Sequence, residues 1–350
     1  MDSIVEKTLE KGVIDGIYPG AVLLAAVSDK VIFHYSVGFS QIIPYPIRMR
    51  KDTIFDLASL TKPLATTLVI MKLVSNGIVD LDTHISDIIK VPVDKQHITI
   101  RMLLSHSSGL PAWRPYYLRL INYPVRLRKD IVINWILKET LLFSPGEGAL
   151  YSDLGFILLE AIINKVIKGD IKSFLAQLYS DLFLDRTFLG YFHKKTKKEE
   201  FAATEFCEWR KRIIQAEVHD ENAFALGGYS GHAGLFSTAK DIFVICNNLL
   251  KNYSGKVHLF KVNIIKEFFK KHNKRWALGW DTPTYLSSSG SFFSENSIGH
   301  LGFTGTSIWI DLHRNITIIL LTNRIHPSRK NEKIKSFRSL IHDLIMQKIC

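Results

Sequence analysis

Apolar and polar positions along the chain change period several times. At the start, Ile4, Val5, Leu9 and Val13 recur at helical spacing and predict a short amphipathic helix. AVLLAAV at 21–27 and the stretch 31–38 flank Ser28-Asp29-Lys30, which predicts a β-hairpin. A second hairpin is predicted near the end, where SIWIDL (307–312) and ITIILLT (316–322) flank His313-Arg314-Asn315. The tail, 331–349, returns to helical spacing through Ile334, Phe337, Leu340, Ile341, Leu344 and Ile345. Roughly 60–275 reads as mostly helical, punctuated at Gly109, Pro111, Pro145-Gly146 and Gly227-Gly228. The economical fold is of the α/β (α+β) class: an antiparallel sheet from both chain ends, flanked by helices, with a large mostly helical insertion. This predicts one domain, with a sheet lobe over about 1–63 and 276–350 and a helical lobe over about 64–275.

Composition narrows the function classes. With 350 residues, 47% of them hydrophobic, the chain can fill a sizeable core, which excludes global disorder. Three cysteines (Cys207, Cys246, Cys350) without C-x-x-C exclude a disulfide scaffold and a cysteine-rich zinc site. The N-terminal stretch carries Asp2, Glu6 and Glu10 where a signal peptide would carry Lys or Arg, and no run approaches a membrane span, so a cytoplasmic protein is expected. The net charge of +12 suggests nucleic acid. Its sources, however, are HKKTKK (193–198), KEFFKKHNKR (266–275) and RIHPSRKNEKIK (324–335), with no nucleic-acid-binding motif beside them. They read as solvated loops that at most attract an anionic substrate, and nucleic acid is not an expected partner.

Serine followed three residues later by lysine occurs at Ser59/Lys62 and at Ser237/Lys240. On a helix such residues share a face, so the amine can reach the hydroxyl and take its proton. Thr238 with Asp241 makes a capping box before DIFVICNNLL, so the second copy reads as a helix cap. Ser59 lies between TIFDLA and TKPLATTLVIMKLV, where a helix N-terminus would favour a developing oxyanion. Tyr151 follows the Ser144-Pro145-Gly146 turn and opens a helix, from which its phenol can relay a proton. His300 and Gly302 stand in HLGFTG before the strand SIWIDL, where glycine permits close backbone approach.

Taken in order, FDLASLTK, MLLSHSSGLP (102–111), SPGEGALYSDLGFILL (144–159), GHAGLFSTAKDI (231–242) and GHLGFTGTSIWID (299–311) resemble the penicillin-binding-protein and class C β-lactamase superfamily of serine hydrolases. The resemblance spans most of the chain and implies a β-lactamase/transpeptidase-like fold. It also implies Ser59 as the acylated nucleophile, Lys62 as base or proton shuttle, Tyr151 as the leaving-group acid, and His300 in place of a lysine. Backbone N–H groups of Ser59 and Phe303 would form the oxyanion hole. Three residues depart from the pattern: Asp153 for asparagine, Leu301 for threonine, and His300 itself. Asp153 would favour a charged Lys62 and make it a poorer base. Leu301 speaks against genuine β-lactamase activity.

The stretch 203–239 is similar to a subgroup that includes cytoplasmic N-acetylmuramoyl-L-alanine amidases, which implies a cell-wall fragment as substrate. Arg210, Lys211, Arg212 or His232 could then pair with its carboxylates. The loop Glu217-Val218-His219-Asp220-Glu221 lacks H-E-x-x-H and reads as a polar loop, so no metal and no cofactor are expected. The expected activity is muropeptide amide hydrolysis. The alternatives are D-alanyl carboxypeptidase, esterase or weak β-lactamase activity, and a non-catalytic fragment-binding protein.

Overall fold

A computed structural model describes residues 3–191, 196–285 and 287–350. Asp2 and residues 193–195 of the first basic run therefore lie outside the described residues. Helix α1 (Ser3–Ile14) leads into β1 (Gly20–Val27), β2 (Lys30–Gln41) and β3 (Ile47–Arg48). After β4 (Phe55–Asp56) come α2 (Thr67–Ser75), α3 (Asp153–Ile167), β5 (Phe188–Leu189), β6 (Leu235–Ser237) and α4 (Ala239–Tyr253). The chain ends through β7 (Ser297–Leu301), β8 (Ser307–Asp311), β9 (Ile316–Thr322) and α5 (Ile334–Ile349).

Both predicted hairpins form, and they join into one antiparallel sheet of order β3-β2-β1-β9-β8-β7. Strand β1 pairs directly with β9, Leu23 opposite Leu320 and Leu24 opposite Ile319. The two-residue period of a strand then divides these apolar runs between two cores. Ala21, Leu23, Ala25, Trp309, Ile318 and Leu320 face α1 and α5, meeting Val5, Leu9, Phe337, Ile341 and Ile345. Val22, Leu24, Ala26, Ile308, Ile310, Ile319 and Leu321 face the inner helices, α2 and α3 among them. Because both faces are covered, these strands read as unbroken apolar runs rather than alternating ones. Leu340, expected on the inner side of the last helix, is instead 59% exposed.

Between the hairpins the regular structure is mostly helical, as predicted, with short strands and long connections added. Helices alternate with long irregular connections, β4, β6 and β5 form a small antiparallel sheet, and Phe206–Cys207 pairs with Arg212–Ile213. Thr238 does cap α4, accepting from Asp241 N–H at 3.2 Å. The Asp241 carboxylate does not close the box; it accepts from Arg186 N–H and the Thr187 hydroxyl. Among the described residues no helix is long and apolar enough to cross a membrane.

Candidate active site

Ser59 does not sit at the N-terminus of the long helix, as the sequence suggested. It lies in a single 3-10 turn, Ala58–Leu60, followed by a wide π turn over Lys62–Thr66, before α2 begins. Ala58 is left-handed at φ 47°, a conformation L-residues adopt at a cost and which surrounding contacts must hold. Buried Asp56 supplies that hold, accepting Ala58 N–H at 2.8 Å and His219 N–H at 2.6 Å. Gly302 closes the turn from the other side. A Cβ there would stand 2.5 Å from the Leu57 carbonyl oxygen and 2.0 Å from the Thr306 hydroxyl oxygen. Gly302 thus permits a close approach to the turn that carries Ser59.

Lys62 is fully buried, and its Nζ lies 3.1 Å from Ser59 Oγ, 3.3 Å from the His232 carbonyl and 2.7 Å from Asp153 Oδ1. The Asp153 contact is a close ion pair off the ideal hydrogen-bond direction. Burial disfavours the ammonium, but the Asp153 carboxylate overrides it, and the net Lys62 pKa is raised. Asp153 thus points at Lys62 and favours its charged form.

Tyr151 precedes the Ser152 cap of α3, whose hydroxyl accepts Gly155 N–H at 3.2 Å. Its ring is caged by His106 at 4.7 Å and Trp276 at 5.5 Å, with Lys62 Nζ 4.8 Å from the ring centroid. Burial raises the phenol pKa, against the lowering effect of Lys62, and the hydroxyl interacts with both Lys62 and Ser59. His300 is not a surface histidine. It is buried on the edge strand β7, where Nδ1–H donates to the Leu301 carbonyl at 2.9 Å and Nε2 has no partner. Burial, reinforced by Lys62, lowers its pKa to about 3, so it offers a lone pair rather than a charge.

Two cavities flank Ser59, of about 320 and 290 Å³, and both are lined by Ser59, Tyr151 and Phe303. The first also holds His300, Leu301 and Gly302; the second holds Asp153. Phe303 is clamped. Arg324 donates to its carbonyl at 3.0 and 2.7 Å, and the His219 ring stacks on its side chain at 5.5 Å. The structure thus brings Ser59, Lys62, Tyr151, Asp153, His300, Gly302 and Phe303 together.

Arg210 lines neither cavity. Its guanidinium is spent on Glu217 at 3.1 Å and on the carbonyls of Val218 and His219 at 2.7 Å each. Lys211 and Arg212 pair with Glu208 and Glu217. His232 lies behind the site, its Nε2 2.9 Å from Asp220 Oδ1. Burial opposes its charge, but Asp220 outweighs burial and raises its pKa. The expected carboxylate partners in this stretch are therefore committed within the fold.

The loop 217–221 is held largely by distant partners. His219 meets Glu205 at 3.0 Å, and Arg329 pairs with both Glu205 and Glu221. Glu205, Cys207 and Glu221 come close enough to share a metal ion, but Arg329 already occupies both carboxylates. Sequence reasoning missed His106, His219, Arg324 and Arg338. His219 and Arg324 stood in the 217–221 loop and the 324–335 run, which were read as a polar loop and a solvated one.

A family model described as Beta-lactamase matches residues 5–341. The chain is 33% identical to the N-acetylmuramyl-L-alanine amidase of Bacillus subtilis, over 92% of this chain and 80% of that protein. It is 30% identical to a putative D-alanyl-D-alanine carboxypeptidase of Escherichia coli, over 93% and 82% respectively. Among solved structures it is similar to EstCE1, a hydrolase with promiscuous acyltransferase activity (TM-score 0.76, 20% identity, 97% of this chain and 98% of that one). It is also similar to the octameric penicillin-binding protein homologue from Pyrococcus abyssi (TM-score 0.75, 21% identity, 98% and 78%).

Proposed function

The chain belongs to the Beta-lactamase family, and we propose that it is a serine hydrolase that cleaves the amide between sugar and peptide in peptidoglycan fragments through an acyl-enzyme on Ser59. The observation that carries the chemistry is the contact chain Asp153–Lys62–Ser59, with steps of 2.7 and 3.1 Å. The amidase named among the relatives supports the substrate class.

In this reading Ser59 Oγ attacks the amide carbon and its proton passes to Lys62 as Lys62 yields one to Asp153. The carbonyl oxygen, now negative, is met by the backbone N–H groups of Ser59 and Phe303. Collapse breaks the C–N bond while Tyr151 O–H protonates the departing amine, and Lys62 re-protonates the phenolate. Water then attacks the ester as neutral Lys62 takes its proton and passes it to the departing Ser59 Oγ, and Lys62 recovers its own proton from Asp153. Neutral His300 presents Nε2 to the substrate as an acceptor. A second reading, release of terminal D-alanine, is favoured by the carboxypeptidase-named relative. Leu301 counts against it, since it lacks a hydroxyl to hold that residue's carboxylate.

The test is intact-mass spectrometry after a fluorophosphonate, with MurNAc-tripeptide turnover followed by chromatography. Adduct on Ser59, its loss in Ser59→Ala, and free MurNAc are expected. No adduct, and turnover surviving Ser59→Ala, would sink the nucleophile. D-alanine release without MurNAc would move the assignment to carboxypeptidase.

A further inference from the structure

Helix α3 carries a second carboxylate besides Asp153. Glu160 is the one charged residue in LGFILLEAII (154–163), and it is 3% exposed. Seven residues make almost two helical turns, so Glu160 shares a face with Asp153. A carboxylate is costly to bury unless its oxygens are paired and hydrogen-bonded. One Glu160 oxygen pairs with Lys129, of the helix Val125–Lys138, at 2.5 Å. The other accepts the Ser230 hydroxyl and Gly231 N–H, both at 2.9 Å.

Gly231 is thereby gripped at both of its polar groups. Its carbonyl accepts the hydroxyl of fully buried Thr66 at 2.6 Å, and Thr66 ends the π turn that begins at Lys62. Its Cα lies flush on α3, where a Cβ would stand 2.1 Å from the Phe156 carbonyl oxygen. The next carbonyl along the chain, that of His232, is the one that meets Lys62 Nζ at 3.3 Å. Ser59 and Asp153 exchange protons with Nζ in the proposed reaction, whereas a carbonyl only accepts a hydrogen bond. Its part is to fix where Nζ stands.

We propose that Glu160 and Thr66 are positioning residues: they clamp Gly231 by its N–H and its carbonyl, and so hold the His232 carbonyl where it keeps Lys62 Nζ against Ser59. The inference rests on Ser59 as nucleophile and Lys62 as its base, and is independent of which amide is cleaved. A shift of about 1 Å in a group set for reaction costs about a hundredfold in rate. The 3.1 Å step from Nζ to Ser59 Oγ leaves little slack for such a shift. Glu160 touches neither Ser59 nor Lys62, so its effect must pass through the 230–232 backbone.

The test uses full-chain variants and a fluorophosphonate, with the inactivation constant KI and the limiting rate kinact followed by intact mass. Glu160→Ala takes the acceptor from Ser230 and Gly231, and should lower kinact about thirtyfold or more with KI nearly unchanged. Glu160→Gln keeps an acceptor oxygen while giving up the charge, and should restore most of the native kinact. Thr66→Val, of similar volume, should lower kinact about tenfold, and it stands in if Glu160→Ala does not fold. Added to Glu160→Ala it should cost much less than it does alone, because Gly231 is already loose. Native kinact in both single variants overturns the clamp, as do losses that multiply in full in the double variant, or Glu160→Gln as slow as Glu160→Ala. Absence of labelling in the native protein removes the nucleophile and the clamp together. Clamp-dependent labelling without release of MurNAc keeps the clamp and sinks the amidase reading.

Discussion

Asp153→Asn tests the centre of the site. The carboxylate lies 2.7 Å from an ammonium that is fully buried, while its own side chain is 17% exposed. At an effective dielectric near 20, two unit charges at that separation attract by about 6 kcal/mol. Part of this is returned as desolvation, and removing one partner of a buried pair typically costs about 3–5 kcal/mol. The sign of the pH dependence follows from Lys62. In the native protein Asp153 holds its pKa above the unfolded value, so this stabilisation is present below that value and lost only as pH rises through the raised one. Without Asp153, burial, the largest influence on Lys62, is opposed only by Tyr151, and it pushes the pKa below the unfolded value of about 10.4. The unfolded chain then binds the extra proton, so the variant gains stability as pH rises toward that value. Urea unfolding at pH 7 and pH 9 is the assay. Asp153→Asn should lose about 3–5 kcal/mol at pH 7 and recover part of it at pH 9, and the native protein should show no such recovery. A deficit below about 1 kcal/mol, equal at both pH values, would refute the reasoning. The same variant should lose about 100-fold or more in kcat if Asp153 takes the Lys62 proton; a gain in rate would remove it from the proton path.

Other consequences are open to measurement. His300, at about 3, and buried His342, at about 4, both lie below the unfolded histidine value, so each withdraws stability as pH falls from 6.5 toward its own value. At pH 5 each should cost about 2 kcal/mol, and His342→Gln should flatten acid unfolding between pH 6.5 and 4, followed by circular dichroism. Trp309→Ala, at a fully buried position, should destabilise by about 3–5 kcal/mol in denaturant titration. Gly302→Ala should cut kcat at least tenfold with little change in circular dichroism, because its Cβ would strike the Leu57 carbonyl in the turn that carries Ser59. Arg324→Leu should lower kcat more than it raises KM by freeing the Phe303 carbonyl; equal effects would remove the clamp from catalysis.

What was legible in the sequence was local. Both hairpins and the terminal helices followed from apolar period, and the Ser59–Lys62 contact from a three-residue spacing that any tight helical turn brings together. Asp153 stood out only through the resemblance, as a carboxylate where the pattern has asparagine. The rest depends on residues far apart in the chain. His219 meets Glu205 and Arg329, and Arg338 reaches Gly302, only after the fold closes. Arg210 misled for the opposite reason: an exposed-looking cationic stretch folds back on Glu217 seven residues later. The turn at Ser59 also escaped the sequence, since apolar spacing does not distinguish 3-10 and π turns from the start of an α-helix.

Strand β1 finds its partner β9 almost three hundred residues later, and Gly302 completes the turn that holds Ser59. On the ribosome, therefore, the first hairpin must wait for almost three hundred further residues with one edge open. Sequence separation of this order makes folding slow and leaves that edge available to wrong partners meanwhile. It also gives the chain a built-in delay. A nascent or truncated form lacking residues beyond about 300 has Ser59 and Lys62 but not Gly302, whose close approach to the Leu57 carbonyl braces their turn.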